Sequence, residues 1–511
     1  MKKINVLFFG INSSDKSRDL TILNRSYGSH RLATFLRENN VAVEVIDYTL
    51  FWKIEELKEL FKSRYSSELV FVGFSILFNL WSEKATEFVR WIKKEYPDLP
   101  IVVGGNSVLM MQDIPEVDLW IDGYGEYAVL ELIRSLKNQR TNDLHFDTNL
   151  DRSGKIIRAM KTYPAYPMLD YSVKFDKNDF ILPYEWGAME LSRGCRFQCA
   201  YCGFPILGVK KDHTASAESF KENLIYNYDN FGIKNYTIFD ETFNDGVDKI
   251  KKYADVVEKL DFDVFFSGYI RLDLMITRTE SREQLARMNL AGHYYGVESL
   301  NYDTLKAIGK GMHPDKIKQG LIDIRDYFNK NSKFYRAHAN FIAGLPHETV
   351  ESLNATVSWL SDNYLDQSFH MHPLVVIKKE LLEQETNSSK ISKNPELYKI
   401  ELLDSTVRRN SEPVTKEFLD KNIITNSPNF TNWKNPQMTA KIASDISRSL
   451  NPRNRKLAPV YNLEIPYFLN KSNSLTPEYL KNFNKSDIPH DFRDTVVADF
   501  INGYIKKKLS F

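Results

Sequence analysis

The three cysteines of this 511-residue chain, Cys195, Cys199 and Cys202, all fall within eight residues of one another. Disulfides that staple a fold join distant segments, so a cluster this tight points to metal ligation or redox chemistry. The segment LSRGCRFQCAYCGFP spaces them C-x3-C-x2-C directly after a strand-like stretch. Three thiolates on one short loop can hold three irons of a cubane, whereas most iron–sulfur clusters take four cysteines, which leaves one iron without a protein ligand. An open metal position invites substrate, as it does in catalytic zinc sites. Two other readings stand beside this one. A zinc site needs a fourth ligand, and the nearest histidine in sequence, His213, is eleven residues beyond Cys202. A thioredoxin-like Cys199-x-x-Cys202 pair leaves Cys195 unexplained.

The length exceeds what one core organises at about 100 to 200 residues per domain, so two to four domains are expected. With 42% hydrophobic residues the chain can bury substantial cores. Lys plus Arg total 68 against 67 Asp plus Glu, which creates no global field toward nucleic acid or an anionic membrane. The amino-terminal MKKINVLFFG reads as a first strand and not as a signal peptide. No stretch reaches the roughly 18 apolar residues of a membrane span. The expected location is the cytoplasm, with neither membrane nor nucleic acid as partner.

Residues 1–138 alternate strand-like and helix-like segments, which predicts an α/β Rossmann-like open parallel sheet with helices on both faces. Residues 139–186 turn polar and proline-bearing and read as a linker. Residues 187–379 carry about six further strand–helix units, which suit a partial or complete (β/α) barrel with its active site at the strands' C-terminal ends. Residues 380–511 read as a mostly helical C-terminal extension. Within it, Trp433 and the basic stretch SRSLNPRNRK are expected to cover the barrel mouth and select substrate; a cap that merely closes the barrel is the other reading.

The cysteine spacing resembles the signature of the radical S-adenosylmethionine (SAM) superfamily, and further segments resemble that family in order over residues 187–379. The resemblance implies a radical SAM barrel with one [4Fe-4S] cluster on Cys195, Cys199 and Cys202, and SAM chelating the fourth iron. It puts Tyr201 near the adenine, with Phe197 on the same loop. It implies that Asp240, Glu241 and Thr242 of IFDETF hold the SAM amino group, where a carboxylate suits an ammonium. Arg271 of GYIRLD and Glu298 of YYGVESL resemble positions near the SAM carboxylate or ribose. Gly344 and Pro346 of FIAGLPHET resemble the turn near the adenine. Taken singly, such residues are as often helix caps or structural ion pairs.

The amino-terminal domain resembles the cobalamin-binding domain of one branch of that superfamily. The resemblance implies that Ser75, Gly104, Gly105, Gly123, Tyr124, Gly125 and Glu126 line a cobalamin crevice at the strand ends. The D-x-H-x-x-G motif is absent, and His30 is read as a cap or a solvent-facing residue. A domain that keeps the fold without the cofactor is the alternative. The activity implied is reductive cleavage of SAM to a 5′-deoxyadenosyl radical, using an external one-electron donor of flavodoxin or ferredoxin type. The leading reaction is cobalamin-dependent methyl transfer to an unactivated carbon or phosphorus of a small-molecule or peptide substrate. Ring formation or oxidative rearrangement is the runner-up, and a SAM- or cobalamin-binding sensor without turnover the third reading. With no further cysteines, a second cysteine-ligated cluster is excluded.

Overall fold

The computed structural model describes residues 4–11, 25–76, 83–105, 108, 113–137, 144–148, 152–159, 173–181, 185–202, 213–333, 335–364, 367–376, 389–403, 432–450 and 490–511. The segment SNSLTPEYLKNFNKSD, most of the basic stretch after Leu450 and residues 160–172 of the proline-bearing linker lie outside them. The chain forms two compact units. One comprises Met1–Pro183, Glu222–Ile233 and His490–Phe511, and the other Tyr184–Lys221 and Lys234–Pro489.

The first unit is a six-stranded parallel sheet in the order β2-β1-β3-β4-β5-β6. Its elements are β1 (Val6–Ile11), α1 (Tyr27–Glu38), β2 (Val43–Ile46), α2 (Ile54–Arg64), β3 (Phe71–Ile76), α3 (Glu83–Glu95), β4 (Ile101–Gly105), β5 (Leu119–Asp122), α4 (Glu126–Lys137) and β6 (Lys155–Arg158). Apolar residues run continuously along β1 and β3 because both faces of the sheet are covered. On one face Phe8, Val45 and Ile121 pack with Leu36 of α1 and Leu132 of α4. On the other Phe9 stacks on Phe74 and meets Phe88 of α3 edge-on. The strand order reverses between β1 and β3, and in such sheets ligands bind beyond the carboxyl ends at that point.

Two boundaries differ from the sequence reading. Lys155–Arg158, inside the stretch read as linker, is β6, because Ile156 and Ile157 are buried against β5. The last helix, His490–Ser510, is not part of a barrel cap. It belongs to the first unit, where Tyr504 Oη accepts a hydrogen bond from Asp47 N at 3.0 Å. Lys508 is fully buried there and donates from Nζ to Glu44 Oε1 at 3.1 Å and to Val45 O at 2.8 Å. The edge strand β2 is thus covered, which removes an exposed pairing edge. His30 also departs from expectation. It is 1% exposed, with Nε2 2.8 Å from Asp47 Oδ2, so it serves a buried ion cluster and not the solvent.

The second unit is a six-stranded parallel sheet in near-sequential order, β14-β13-β12-β11-β10-β7, a partial (β/α) barrel. Its strands are β7 (Trp186–Met189), β10 (Asn235–Ile238), β11 (Phe265–Ile270), β12 (Leu290–Glu298), β13 (Arg336–Ala343) and β14 (Ser368–Pro373). A short antiparallel pair, β8 (Ser192–Arg193) and β9 (His213–Thr214), follows β7. The intervening helices begin where local chemistry satisfies free amides. Pro314 opens Pro314–Asn331, and a Thr349–Ser352 capping box opens Val350–Asn363. Beyond β14 the described chain adds the antiparallel pair β15 (Glu401–Leu403) and β16 (Asn432–Lys434) and the helix Ala440–Leu450. No helix among the described residues is long and apolar enough to cross a membrane.

Candidate functional site

The cysteine loop leaves β8 at the carboxyl ends of the second unit's strands. Hydrogen bonds from Ala200 N to Ile308 O and from Ile391 N to Ala200 O tie it down. None of the three cysteines is in a disulfide; Cys199 is buried and the other two are half-buried. Cys195 Sγ lies 3.4 Å from Thr242 Oγ1, and Arg271 Nη1 donates to Cys199 Sγ at 3.3 Å. The Arg271 guanidinium lies 3.7 Å above the Phe197 ring. Among the described residues no three His, Cys, Asp or Glu side chains converge to hold a single metal ion. A cubane does not ask this of its cysteines, because each thiolate takes a different iron.

Strand β12 ends in a bulge that turns Glu298 into the site, at a φ of +73° that non-glycine residues rarely adopt. A Cβ on Gly296 would come within 2.4 Å of Glu298 Oε1, so glycine leaves room for the carboxylate. Tyr201 Oη donates to Glu298 Oε1 at 2.7 Å, and Lys310 Nζ lies 3.1 Å from the same oxygen. Burial, with Glu298 alongside, holds the Tyr201 phenol protonated well above its ordinary range. The cysteine loop, Arg271, Thr242 and Glu298 are therefore brought together. Lys310 escaped the sequence reading; its signal was the G-K-G run, in which Gly309 and Gly311 take φ of +80° and +62°.

Two expected SAM residues have other employment. Asp240 is fully buried, and its oxygens accept from Leu191 N at 2.7 Å and from the Ser192 hydroxyl. It splices β10 to the segment leading into the cysteine loop, which leaves no oxygen aimed at an outside ammonium. Burial raises its carboxyl to about 6 against the pull of Lys249, itself hydrogen-bonded to Ser192 Oγ and to Thr242 O. Glu241 stays partly accessible, its carboxyl pushed up to about 7 by burial and by Glu190 and Asp240. Gly344, at φ +93°, is glycine because a Cβ there would strike Trp433 Cη2 at 2.2 Å. Trp433, expected over the barrel mouth, is fully buried and donates Nε1–H to Leu374 O at 3.0 Å.

The turn after Gly344 is fastened to the segment that follows β12. Pro346 O accepts from Thr304 Oγ1 at 2.8 Å, and Ser299 Oγ donates to Glu348. Burial pushes the Glu348 carboxyl up to about 7 from 4.5. The folded state then holds this proton more tightly than the unfolded state, so stability falls as pH rises from about 4.5 to 7 and the penalty is complete above 7. Glu348→Gln should remove that slope and gain about 2 to 3 kcal/mol on wild type between pH 5 and pH 8. Urea midpoints at the two pH values check this.

Aromatic side chains of neighbouring strands pack together in the same sheet. Tyr269, Tyr294 and His338 lie in register across β11, β12 and β13. Tyr294 stacks on His338, and its hydroxyl donates to Asn340 Oδ1 at 3.1 Å. His370 and His372 of β14 lie 4.1 Å apart. Burial, reinforced by these two imidazoles, lowers His338 to about 3, so it is neutral.

In the first unit Ser75, Gly104 and Gly105 stand at the carboxyl ends of β3 and β4, with Gly123, Tyr124 and Gly125 following β5. Glu126 begins α4, but its carboxylate is buried and paired with Arg31 Nε at 2.9 Å. It is therefore a structural ion pair and not part of a ligand rim.

The radical SAM superfamily model matches residues 189–360, the stretch holding the thiols, Arg271 and Glu298. Residues 189–360 form a radical SAM domain. An uncharacterized methyltransferase of Pyrococcus horikoshii is 24% identical over 279 residues, 51% of this chain and 57% of the relative, so the chain spans little more than half that protein's length. Among solved structures the fold is similar to the radical SAM methyltransferase TsrM of Kitasatospora setae, solved with cobalamin and a [4Fe-4S] cluster. The TM-score is 0.65 at 14% identity, covering 98% of this chain and 100% of that one. It is also similar to OxsB, a cobalamin-dependent SAM radical enzyme solved with aqua-cobalamin and SAM, with a TM-score of 0.55 at 18% identity, over 78% of this chain and 56% of that one. At these identities the likeness establishes the fold: an open parallel sheet ahead of the radical SAM domain's partial barrel.

Proposed function

We propose that the chain is a cobalamin-dependent radical SAM methyltransferase with a single [4Fe-4S] cluster. The observation that carries this reading is the set of three cysteines on one loop, none in a disulfide, flanked by the Arg271 guanidinium and the Tyr201–Glu298–Lys310 group. Cys195, Cys199 and Cys202 would hold the cluster, and SAM would occupy the space bounded by Tyr201, Glu241, Thr242 and Glu298. When bound, the cluster supplies an electron from an external donor for reductive chemistry on SAM. Cobalamin, for which the crevice at Ser75, Gly104, Gly105 and Gly123 is the candidate seat, would supply methyl transfer.

The chain's own residues contribute binding and orientation. Thr242 steadies Cys195, and the Glu298 carboxylate, held by Tyr201 and Lys310, offers an acceptor to ribose hydroxyls. Tyr269, Tyr294 and Asn340 suit a ring-bearing small molecule that also hydrogen-bonds. The solved TsrM with bound tryptophan and a SAM analogue, at a TM-score of 0.58, supports such a substrate class.

Anaerobic reconstitution with iron and sulfide, with and without cobalamin, tests the reading. After addition of SAM and reductant, a cluster absorption band, retained cobalamin and S-adenosylhomocysteine would support it. A cluster with 5′-deoxyadenosine but no retained cobalamin would keep the radical enzyme and remove methyl transfer. Absence of any cluster would overturn both. Glu298→Ala is expected to weaken SAM binding about tenfold or more at unchanged iron content, the loss of a hydrogen bond to a charged group. Equilibrium dialysis with labelled SAM measures it.

A further inference from the structure

Arg271 is held more rigidly than a residue that merely awaits a ligand. Its backbone is clamped by the buried Asn244, which accepts from Arg271 N at 2.8 Å and donates to Arg271 O at 3.0 Å. Nε and Nη2 both donate to Asp273 Oδ2, at 3.1 and 2.9 Å, and the guanidinium face rests on Phe197. With one edge and a face occupied, Nη1 is directed at Cys199 Sγ. Phe197 and Cys199 are two residues apart on the same loop, so the stack and the hydrogen bond reinforce one another.

We propose that Arg271 is a cluster-tuning residue, whose N–H hydrogen bond to the Cys199 sulfur raises the reduction potential of the cluster. This rests on the cluster reading above and departs from the expectation that Arg271 serves the SAM carboxylate or ribose. A low-potential one-electron donor of flavodoxin or ferredoxin type takes the cluster from the 2+ to the 1+ state, adding one negative charge shared with the thiolates. A cationic donor on one of those sulfurs favours the more negative state. Cys199 is buried, where the effective dielectric is low and the interaction is stronger than in water.

The test is a redox titration of the reconstituted full-length chain without SAM, followed by electron paramagnetic resonance. Arg271→Gln should lower the midpoint so that the reduced-to-oxidised ratio at a given donor potential falls about tenfold, or about 59 mV for one electron. Arg271→Lys, which keeps the charge but not the stacked fork, should fall by less. Phe197→Leu, which removes the stack and leaves the arginine, should move the midpoint in the same direction. An unchanged midpoint in Arg271→Gln overturns the proposal whatever happens to SAM affinity. Should that variant assemble no cluster, unchanged midpoints in both Arg271→Lys and Phe197→Leu overturn it equally. A wild-type chain that assembles no cluster would instead refute the function proposed above.

Discussion

Cys195→Ala, Cys199→Ala and Cys202→Ala are each expected to reduce cluster iron after reconstitution to background and to abolish SAM cleavage. The magnitude follows from the donor count. The chain has three cysteines and no fourth to substitute, so losing one leaves a cubane with two protein ligands. Neighbouring groups offer no replacement thiolate: Thr242 supplies a hydroxyl beside Cys195, and Arg271 a cation beside Cys199. Iron and acid-labile sulfide assays on each variant decide the matter. A full iron complement in any one of them would remove that cysteine from the ligand set.

The second large effect is expected far from the thiols. Lys508→Ala should destabilise the first unit by about 3 kcal/mol or more, because it leaves Glu44 buried with one of its two cationic partners gone. Lys508 has no exposed surface; Arg64 Nε donates to Glu44 at 2.8 Å, and Arg64 Nη2 donates to the Lys508 carbonyl. Burial alone would raise the Glu44 carboxyl, yet Lys508 and Arg64 hold it below its ordinary value. A depressed carboxylate contributes stability above about pH 4.5 that is lost as pH falls. The Lys508→Ala deficit should therefore shrink in acid, which urea unfolding at pH 7 and pH 4 would reveal. An equal midpoint for variant and wild type at pH 7 would mean that the terminal helix does not brace the sheet.

Legibility in the sequence followed the range of the interactions. Alternating apolar and amphipathic segments announced both parallel sheets, since periodicity is a local property. The cysteine loop was legible for the same reason: three ligands on eight residues need no long-range folding to be recognised. Lys310 was not read, because its role depends on where a G-K-G turn comes to rest beside Glu298. His30 was misread because nothing local to YGSHRLA foretells Asp47 across the fold.

The carboxylates show the limit most clearly. Asp240 and Glu241 are adjacent and chemically alike, and only the packing of Leu191 and Ser192 against β10 spends Asp240 inside the fold and leaves Glu241 partly accessible. Glu126 is likewise decided by Arg31, 95 positions away. By itself the sequence determined the two α/β architectures and the three-thiol loop, since hydrophobic period and ligand spacing are written in consecutive residues. Only the tertiary structure decided which polar side chains face the site and which are consumed within it. It alone carried the final helix back to the first sheet. Buried polar groups must find partners wherever the fold brings them, and those partners are set by three-dimensional proximity.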